Sequence, residues 1–298
     1  MTLAPERSRP MSVVGTNTLY RDQRGISTAR SSQGGVDREQ SASDSCKARL
    51  APGAVRWRAP NTGRASSPSA LLPFLCMCAR FQTPAQAAAE RYWKLVDAHW
   101  KFVQSWRVLP TDPVPVVLTA DGQRTGRMMR WGLVPFVGES KFPLINATVE
   151  KLETYYAWKA PWERRQRCIL AMAGFYEPHL FPDRRKEPYY IHLADRPMFG
   201  VAGLWDRKKR EDGTELLSCT LITTPPNELL AEIHNEKQRM PAVLQEADHE
   251  AWLAGTPEEA KAALKPHPSD TMVAWQVSRR LYSLKNPNDE TLLARIQA

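Results

Sequence analysis

The chain has 298 residues, enough for one large domain or two small ones, and 42% of them are hydrophobic, which is ample for a buried core. Its formal net charge is +9, but residues 1–76 hold 11 Lys/Arg against 5 Asp/Glu, so residues 77–298 carry only +3 of that total. Bulk charge is therefore weak support for a nucleic-acid-binding protein. Any binding surface in the second segment has to be a local patch.

The cysteine pattern excludes two common kinds of small protein. Five cysteines are an odd number, and no two of them form a Cys-x-x-Cys pair or show the spacing of metal ligands. This argues against a disulfide framework and a zinc site and favours a reducing cytosol, and no metal or cofactor is predicted. Residues 71–75 are apolar but too few to span a bilayer, and no signal-peptide segment follows residue 1. We expect a cytoplasmic protein with no membrane partner.

Residues 1–76 are predicted to be disordered. Most of this segment is rich in Ser, Arg, Gly and Pro, with few aromatic residues, so it cannot bury enough apolar surface to offset its ordering entropy. The segment is either a natural flexible tail or, as we expect, absent from the mature protein because translation starts at Met77. Removal of Met77 would then leave Cys78 with a free α-amine beside its thiol. Cleavage between Met77 and Cys78 is an alternative route to the same product, and a protein that keeps the segment would be inactive.

Residues 77–298 alternate between strand and helix patterns. Thr83 is predicted to cap a helix that continues to about residue 99, and an Asp121-Gly122 turn joins two hairpin strands. The predicted strands cover residues 114–118, 127–131, 168–173, 189–193, 198–204, 216–222, 242–244 and 273–277, and further helices cover 149–158, 227–233, 247–253 and 257–264. Strands dominate, so we predict a single α+β domain with a largely antiparallel, barrel-like sheet and inserted helices.

Two polar residues next to apolar segments are candidates for chemistry. Glu177 follows a buried-looking strand, and burial would raise the pKa of its carboxyl group and suit it to proton transfer. A solvated loop carboxylate is the alternative. Asn146 follows two apolar residues and could orient a substrate oxygen, although an Asn in a turn or helix cap is more common.

Two further residues have equally open interpretations. His234 ends a predicted helix and could act as an acid or a base near neutral pH, but a single His is more often structural or exposed. Trp131 precedes Gly132 and could stack on a base or wedge between bases. It is equally well interpreted as a core aromatic.

Taken together, these residues lie in five short blocks whose order and spacing resemble those of the SRAP family, the SOS-response-associated peptidases, understood as abasic-site processing proteins. The similarity covers about residues 77–285. The blocks are Met-Cys-Ala-Arg-Phe at 77–81, Trp-Gly-Leu-Val-Pro at 131–135, Ile-Asn-Ala at 145–147, Gly-Phe-Tyr-Glu at 174–177, and His234 followed by Arg-Met-Pro at 239–241.

The resemblance implies a covalent reaction with DNA. The family's N-terminal cysteine, matched by Cys78, condenses with the aldehyde of a ring-opened abasic site in single-stranded DNA and forms a thiazolidine crosslink that shields the lesion. Asn146 matches the residue that holds the cysteine and the sugar. Glu177 matches the residue that moves protons in crosslink formation and reversal, and His234 matches the one that assists ring opening and lyase-type chemistry.

The same resemblance implies a DNA-binding surface. Arg80, Trp131 and Arg239 match positions that contact phosphates or wedge between bases, and Phe136 stands in for an aromatic that follows the second block. The partner implied is single-stranded DNA containing abasic sites, bound by a monomer in the DNA damage or SOS response. The protein would associate with the nucleoid when it is bound to DNA.

The sequence departs from the family pattern at several positions. Ala79 replaces a glycine after the cysteine, and Thr148 replaces an arginine, which removes one phosphate contact. Pro178 replaces an aromatic after the glutamate. More residues than usual separate His234 from Arg239.

Two other functions stay open at this point. A cysteine peptidase using Cys78, Glu177 and His234 would cleave peptides without DNA, in keeping with the family's hydrolase label. A non-catalytic single-stranded DNA-binding module would bind in a salt-sensitive way and would be indifferent to the abasic site.

Overall fold

The computed structural model describes residues 78–136, 140 and 142–296. The disorder predicted for residues 1–76 lies outside this range. Within the described residues the strands are β1 (Arg80–Gln82), β2 (Asp97–His99), β3 (Pro113–Ala120), β4 (Gln123–Trp131), β5 (Asn146–Thr148), β6 (Arg167–Met172), β7 (Gly174–Leu180), β8 (Lys186–Leu193), β9 (Phe199–Lys209), β10 (Glu215–Thr224), β11 (Met240–Pro241) and β12 (Met272–Gln276). The α-helices are α1 (Gln86–Trp93), α2 (Tyr156–Glu163), α3 (Glu228–Ile233), α4 (His249–Leu253) and α5 (Pro257–Ala262).

Five strands close into a barrel. The order β10-β9-β6-β3-β4 is antiparallel throughout, and β4 then pairs with β10 in parallel at Arg130↔Ser218 and Trp131↔Cys219. The strands β2, β5 and β11 extend this sheet at its margins. A second, antiparallel sheet has the order β1-β7-β8-β12. The predicted α+β class with a barrel-like, largely antiparallel sheet is confirmed.

The barrel strands bury both of their faces, which explains why β6 is apolar throughout most of its length. Alternate side chains of a strand point to opposite faces. Ile169 and Ala171 pack beneath the helices with Trp93 and Trp252, on the face that must be the outside of the barrel. Leu170 points to the opposite face and belongs to a second cluster, called here the inner core, which also contains the side chains of Cys78, Phe175 and Ile233. Cys78, a candidate for chemistry, therefore lies in the inner core.

Three predicted elements differ most from the structure, while others, such as the strand expected over 198–204, differ only in where they begin or end. The helix expected over 83–99 covers only Gln86–Trp93, because Lys94 adopts a left-handed conformation with φ 50° and ends it. Thr83 does not cap it, since its hydroxyl accepts the amide hydrogen of Ser105 instead.

The other two differences are shifts of boundary. The helix expected over 149–158 is a 3₁₀ turn at Val149–Lys151 followed by the later helix α2, which begins at Tyr156. The strand expected over 242–244 begins earlier, as β11, and Val243 makes only an isolated bridge with Val201.

Candidate active site

Cys78 and Glu177 meet where the short strand β1 enters the second sheet. Arg80 pairs with Tyr176 in register, so the segment just before β1 runs beside the following residue of β7. The backbone nitrogen of Cys78 donates a hydrogen bond to Glu177 Oε2 at 3.3 Å, and both residues are buried. The carboxylate therefore faces the nitrogen that would be an α-amine if Cys78 were the first residue.

His234 approaches the same carboxylate oxygen from a different element. It directly follows α3, which Asn227 caps by accepting the amide hydrogen of Leu230. Its Nε2 lies 3.7 Å from Glu177 Oε2, while its Nδ1 lies 3.0 Å from the carbonyl oxygen of Arg239. A carbonyl oxygen only accepts hydrogen bonds, so Nδ1 carries a hydrogen and, in the neutral ring, Nε2 presents its lone pair to Glu177.

The environment of Glu177 favours the protonated carboxyl group. Desolvation by burial raises the pKa of Glu177, and the effects of His234 and of the hydrogen bonds from Cys78 only partly offset this. Its second oxygen, Oε1, is buried and has no hydrogen-bond partner among the described residues. A buried carboxyl group whose pKa is raised is better suited to take up and release protons than a solvated one.

The thiol of Cys78 has a raised pKa, whereas the pKa of an activated thiol is lowered. Burial raises the pKa of its thiol well above the usual value, and the neighbouring charge of Glu177 raises it further. Cysteines that attack as thiolates normally lie in electropositive surroundings that lower their pKa. The backbone of Cys78 has φ 41°, in the left-handed region that is uncommon for residues other than glycine.

The side chain of Arg239 fixes the position of its own carbonyl group. Its guanidinium makes two hydrogen bonds to the carboxylate of Glu150, at 2.7 and 3.0 Å, and a third to the carbonyl oxygen of Thr223 at 2.6 Å. These contacts anchor the residue whose carbonyl accepts the His234 ring hydrogen. The ion pair also lowers the pKa of Glu150.

Asn146 lies on β5, in parallel register with Leu221 of β10. Residues directly paired in neighbouring strands direct their side chains to the same face of the sheet, and Leu221 belongs to the inner core together with Cys78. The structure thus brings Cys78, Glu177 and His234 into contact and puts Asn146 on the strand face that borders them.

Comparison with known proteins is consistent with this geometry. The family model for SOS response associated peptidase (SRAP) matches residues 77–284. The chain belongs to the SRAP family. It is 31% identical over 194 residues to the abasic site processing protein YoqW of Bacillus subtilis, covering 63% of this chain and 85% of that protein.

Two more distant comparisons extend this result. The abasic site processing protein HMCES of Rattus norvegicus is 26% identical over 233 residues, covering 64% of this chain and 65% of that protein. A crystal structure of a protein from Bacteroides thetaiotaomicron superimposes with a TM-score of 0.64 at 28% identity, covering 74% of this chain and 98% of that one.

One predicted DNA contact of this SRAP protein has to be corrected. Trp131 is fully buried, packs edge-on against Phe81 with ring centroids 4.9 Å apart, and donates its indole N–H to the carbonyl oxygen of Ile145. It is a core residue that joins β4 to the segment before β5, and no base can stack on it in this conformation. The core interpretation left open by the sequence is the one that the structure supports.

The other predicted DNA-binding residues lie nearer to solvent. Phe136 is 61% exposed, and its amide donates to Asp206. Arg80 is half-buried with its guanidinium 4.9 Å from the ring centre of Tyr282. Arg239 is mostly buried against Glu150.

Sequence reasoning missed the residues that support the site. Glu150 is 89 positions away from Arg239, and Tyr282 is far from Arg80 in the chain. Neither pair has a local pattern that could have revealed it, because both contacts are made only by the closure of the barrel and the docking of the C-terminal segment.

Within the described part of the chain, no group of three or more His, Cys, Asp or Glu side chains is arranged to hold a metal ion. Nor does that part contain a helix that is both long enough and apolar enough to cross a membrane.

Proposed function

We propose that this protein captures abasic sites in single-stranded DNA through Cys78 and forms a thiazolidine after removal of Met77. The observation that carries the proposal is the 3.3 Å contact between the Cys78 nitrogen and the buried Glu177 carboxylate, whose same oxygen faces His234. The names of the relatives YoqW and HMCES, which describe abasic site processing, support this proposal.

The chemistry balances with the loss of one water molecule. The neutral α-amine attacks the aldehyde carbon of the ring-opened sugar, and the resulting hydroxyl group leaves as water when it is protonated, which gives an imine. The sulfur then adds to the imine carbon, while the thiol proton moves to the carboxylate and the nitrogen takes up a proton. Each proton transfer takes place within reach of Glu177, which suits an acid–base group with a raised pKa.

The raised pKa of the Cys78 thiol favours this order of events over peptidase chemistry. A peptidase needs a thiolate for its first attack, and this pocket disfavours one. In thiazolidine formation the amine attacks first, and the thiol only closes the ring. We include lyase-type cleavage through the imine, and reversal of the ring, in the same proposal.

His234 supports opening of the sugar. With a hydrogen on Nδ1 and a lone pair on Nε2, it can accept a proton from the hydroxyl group of the closed sugar while Glu177 protonates the ring oxygen. Phe136, Arg80 and Arg239 would contribute contacts to the flexible strand, as basic and aromatic groups do in sequence-independent single-strand binding. We propose that the protein acts as a monomer in the cytoplasm, on DNA of the nucleoid.

The test uses protein that begins at Cys78 and a single-stranded oligonucleotide with one abasic site. We expect a heat-stable adduct on a denaturing gel whose mass equals protein plus DNA minus one water molecule. The Cys78→Ala variant should form none. Cys78→Ser keeps the amine without the sulfur, so it should form only an adduct that needs chemical reduction to survive heating.

The matched control is the same protein with one alanine added before Cys78. This extension removes the α-amine of Cys78 and retains the thiol, so it should abolish the heat-stable adduct. If the extended protein forms the same adduct, or if Cys78→Ala retains it, the proposal is wrong. Cleavage of peptides by the extended protein would favour the peptidase instead.

A further inference from the structure

The extra residues between His234 and Arg239 form a compact loop that is attached to the end of α3. The amide of Gln238 donates to the carbonyl oxygen of His234 at 3.0 Å, and its side-chain amide donates to the carbonyl oxygen of Ala231 at 3.0 Å. Gln238 itself has φ 53°, which turns the chain back towards Arg239. The loop thus returns Arg239 to His234 in spite of its added length.

The loop also reaches the strand that carries Glu177. Asn235 makes two hydrogen bonds with the backbone of Leu180: its Nδ2 donates to the carbonyl oxygen at 2.9 Å, and its Oδ1 accepts the amide hydrogen at 3.1 Å. Leu180 is the last residue of β7, and Asn235 directly follows His234. One amide side chain therefore occupies both hydrogen-bonding groups of a strand residue, as a neighbouring strand would.

Two more contacts join the same pair of segments. Glu236 of the loop forms an ion pair with Lys186 at the start of β8, which is paired with Leu180. His179 Nδ1 lies 3.0 Å from the carbonyl oxygen of Glu232 in α3 and donates to it. Both contacts join the segment that carries His234 to the β7–β8 pair that carries Glu177.

We propose that Asn235 is a positioning residue that holds His234 against Glu177. This proposal deepens the function proposed above, because it concerns the same site, but it rests on contacts that exist without DNA. Since the two side chains belong to different elements, their 3.7 Å separation depends on the contacts that tie α3 to β7. Asn235 makes the contact closest in sequence to His234.

The first test is a titration of the Glu177 carboxyl group by ¹³C NMR in the full chain and in Asn235→Ala. In its protonated form His234 lowers the pKa of Glu177 through its positive charge, against the larger effect of burial. If the loop detaches and His234 moves away, the pKa of Glu177 should rise. Cys78 and Tyr282 also interact with this carboxylate, but neither belongs to the loop that carries Asn235, so we do not expect them to produce the shift.

The matched control is Asn288→Ala, which removes an exposed Asn side chain whose Nδ2 donates to Ser105 Oγ, away from α3. It should leave the titration of Glu177 unchanged. Asn235→Ser, which keeps a short hydrogen-bonding side chain and adds no charge, should shift the pKa less than Asn235→Ala does. An unchanged pKa of Glu177 in folded Asn235→Ala would overturn the proposal.

The second test uses the rate of adduct formation by protein that begins at Cys78. Loss of two exposed hydrogen bonds should slow the reaction by about threefold to tenfold. The same substitution should have no further effect in a His234→Ala background, because Asn235 acts through His234. An equal slowing in both backgrounds would show a merely structural role and overturn the proposal.

The two tests distinguish a failure of the proposed function from a failure of the proposed role of Asn235. If the wild-type protein forms no adduct, the proposed function is wrong, but the NMR titration still decides the role of Asn235. If Asn235→Ala does not fold, Asn235→Ser is the second variant and should shift the pKa of Glu177 in the same direction, by less. A folded Asn235→Ser protein without any such shift would then count against the proposal.

Discussion

Two buried histidines lie at helix ends on opposite faces of the barrel sheet, and their surroundings differ. His234 is 2% exposed, and each of its ring nitrogens faces an oxygen atom, one of a carbonyl group and one of a carboxylate. His249, at the start of α4, is 3% exposed and lies against the ring of Trp93 with centroids 4.8 Å apart. Its Nε2 has no hydrogen-bond partner among the described residues.

The difference shows why burial alone does not identify a functional histidine. Burial lowers the pKa of His249 to about 4, and the positive charge of Arg124 adds to the effect, so this ring is neutral at pH 7 and serves as a packing residue. At His234 the protein keeps a carboxylate with a raised pKa beside the lone pair of Nε2. A buried acid and a buried base in contact cost stability and are typical of sites that move protons.

The largest effect is expected when His234 loses its carboxylate partner. Glu177→Gln retains the shape of the side chain but can neither take up nor release a proton. General acid–base groups contribute about 10²- to 10⁴-fold to a rate, so adduct formation by protein beginning at Cys78 should slow by about a thousandfold. Quenched-flow or gel-based kinetics at pH 7 measure this directly.

The matched control for this prediction is Glu187→Gln on the neighbouring strand β8. Glu187 is also buried, but its carboxylate pairs with Arg185 and Arg279 instead of with a histidine. This variant is expected to lose some stability and to keep its rate. If Glu177→Gln and Glu187→Gln slow the reaction equally, the site depends on packing rather than on proton transfer.

The second prediction concerns His249 and acid stability. The unfolded chain binds a proton at this ring below about pH 6.5, whereas the folded protein does so only below about pH 4. Stability is therefore fully present above pH 6.5 and is lost as the pH falls, by roughly 3 kcal/mol between these values. His249→Leu should remove this loss. The free energy of unfolding, measured by urea denaturation between pH 4.5 and 7, should then vary by less than about 1 kcal/mol from this group.

Other titratable groups also contribute to the pH dependence of stability. Burial also lowers the pKa of His267, so some acid sensitivity of the same sign should persist in His249→Leu. Glu177, whose pKa is raised, acts in the opposite direction: its contribution is present at low pH and is lost as the pH rises through its folded pKa. The exposed His99 is the control, because His99→Leu should leave the acid loss intact. An unchanged slope in His249→Leu would contradict the assignment.

The sequence could predict the parts of this molecule that are encoded locally. The apolar segment over 168–173 became β6, the turn at Asp121-Gly122 became the β3–β4 hairpin, and Asn227 caps α3. The prediction that α1 extends to residue 99 was wrong, because residues 97–99 pair with β4 and this tertiary contact overrides helix propensity.

The site was predictable as a set of residues and not as a geometry. The five sequence blocks indicated Cys78, Glu177 and His234, which the fold does bring together. The burial of Trp131 could not be deduced, since the same Trp-Gly segment fits an exposed wedge and a barrel core. The support from Asn235 and Glu150 depends on contacts between segments that are distant in the chain.

The smallest effect is expected at Glu150, which acts on His234 through the carbonyl group of Arg239 that accepts the Nδ1 hydrogen. Glu150 is half exposed and neutralises Arg239, whose carbonyl group orients His234. Glu150→Gln keeps a hydrogen-bond acceptor for the guanidinium and removes the negative charge. Because Arg239 then offers an unneutralised positive charge to a phosphate, affinity for single-stranded DNA should rise about twofold to threefold at low salt, with a steeper dependence of affinity on salt.

The adduct rate distinguishes the two roles of Arg239. If the guanidinium stays on Thr223 and on the amide oxygen introduced by Glu150→Gln, the carbonyl group keeps its place, and the rate at saturating DNA should change by less than about twofold. Glu153→Gln removes a comparable exposed ion pair with Lys261 and should change neither affinity nor rate. A drop in rate without a gain in affinity would mean that Arg239 serves His234 alone and does not contact DNA, and the orientation of Nδ1 would then depend on the charge of Glu150.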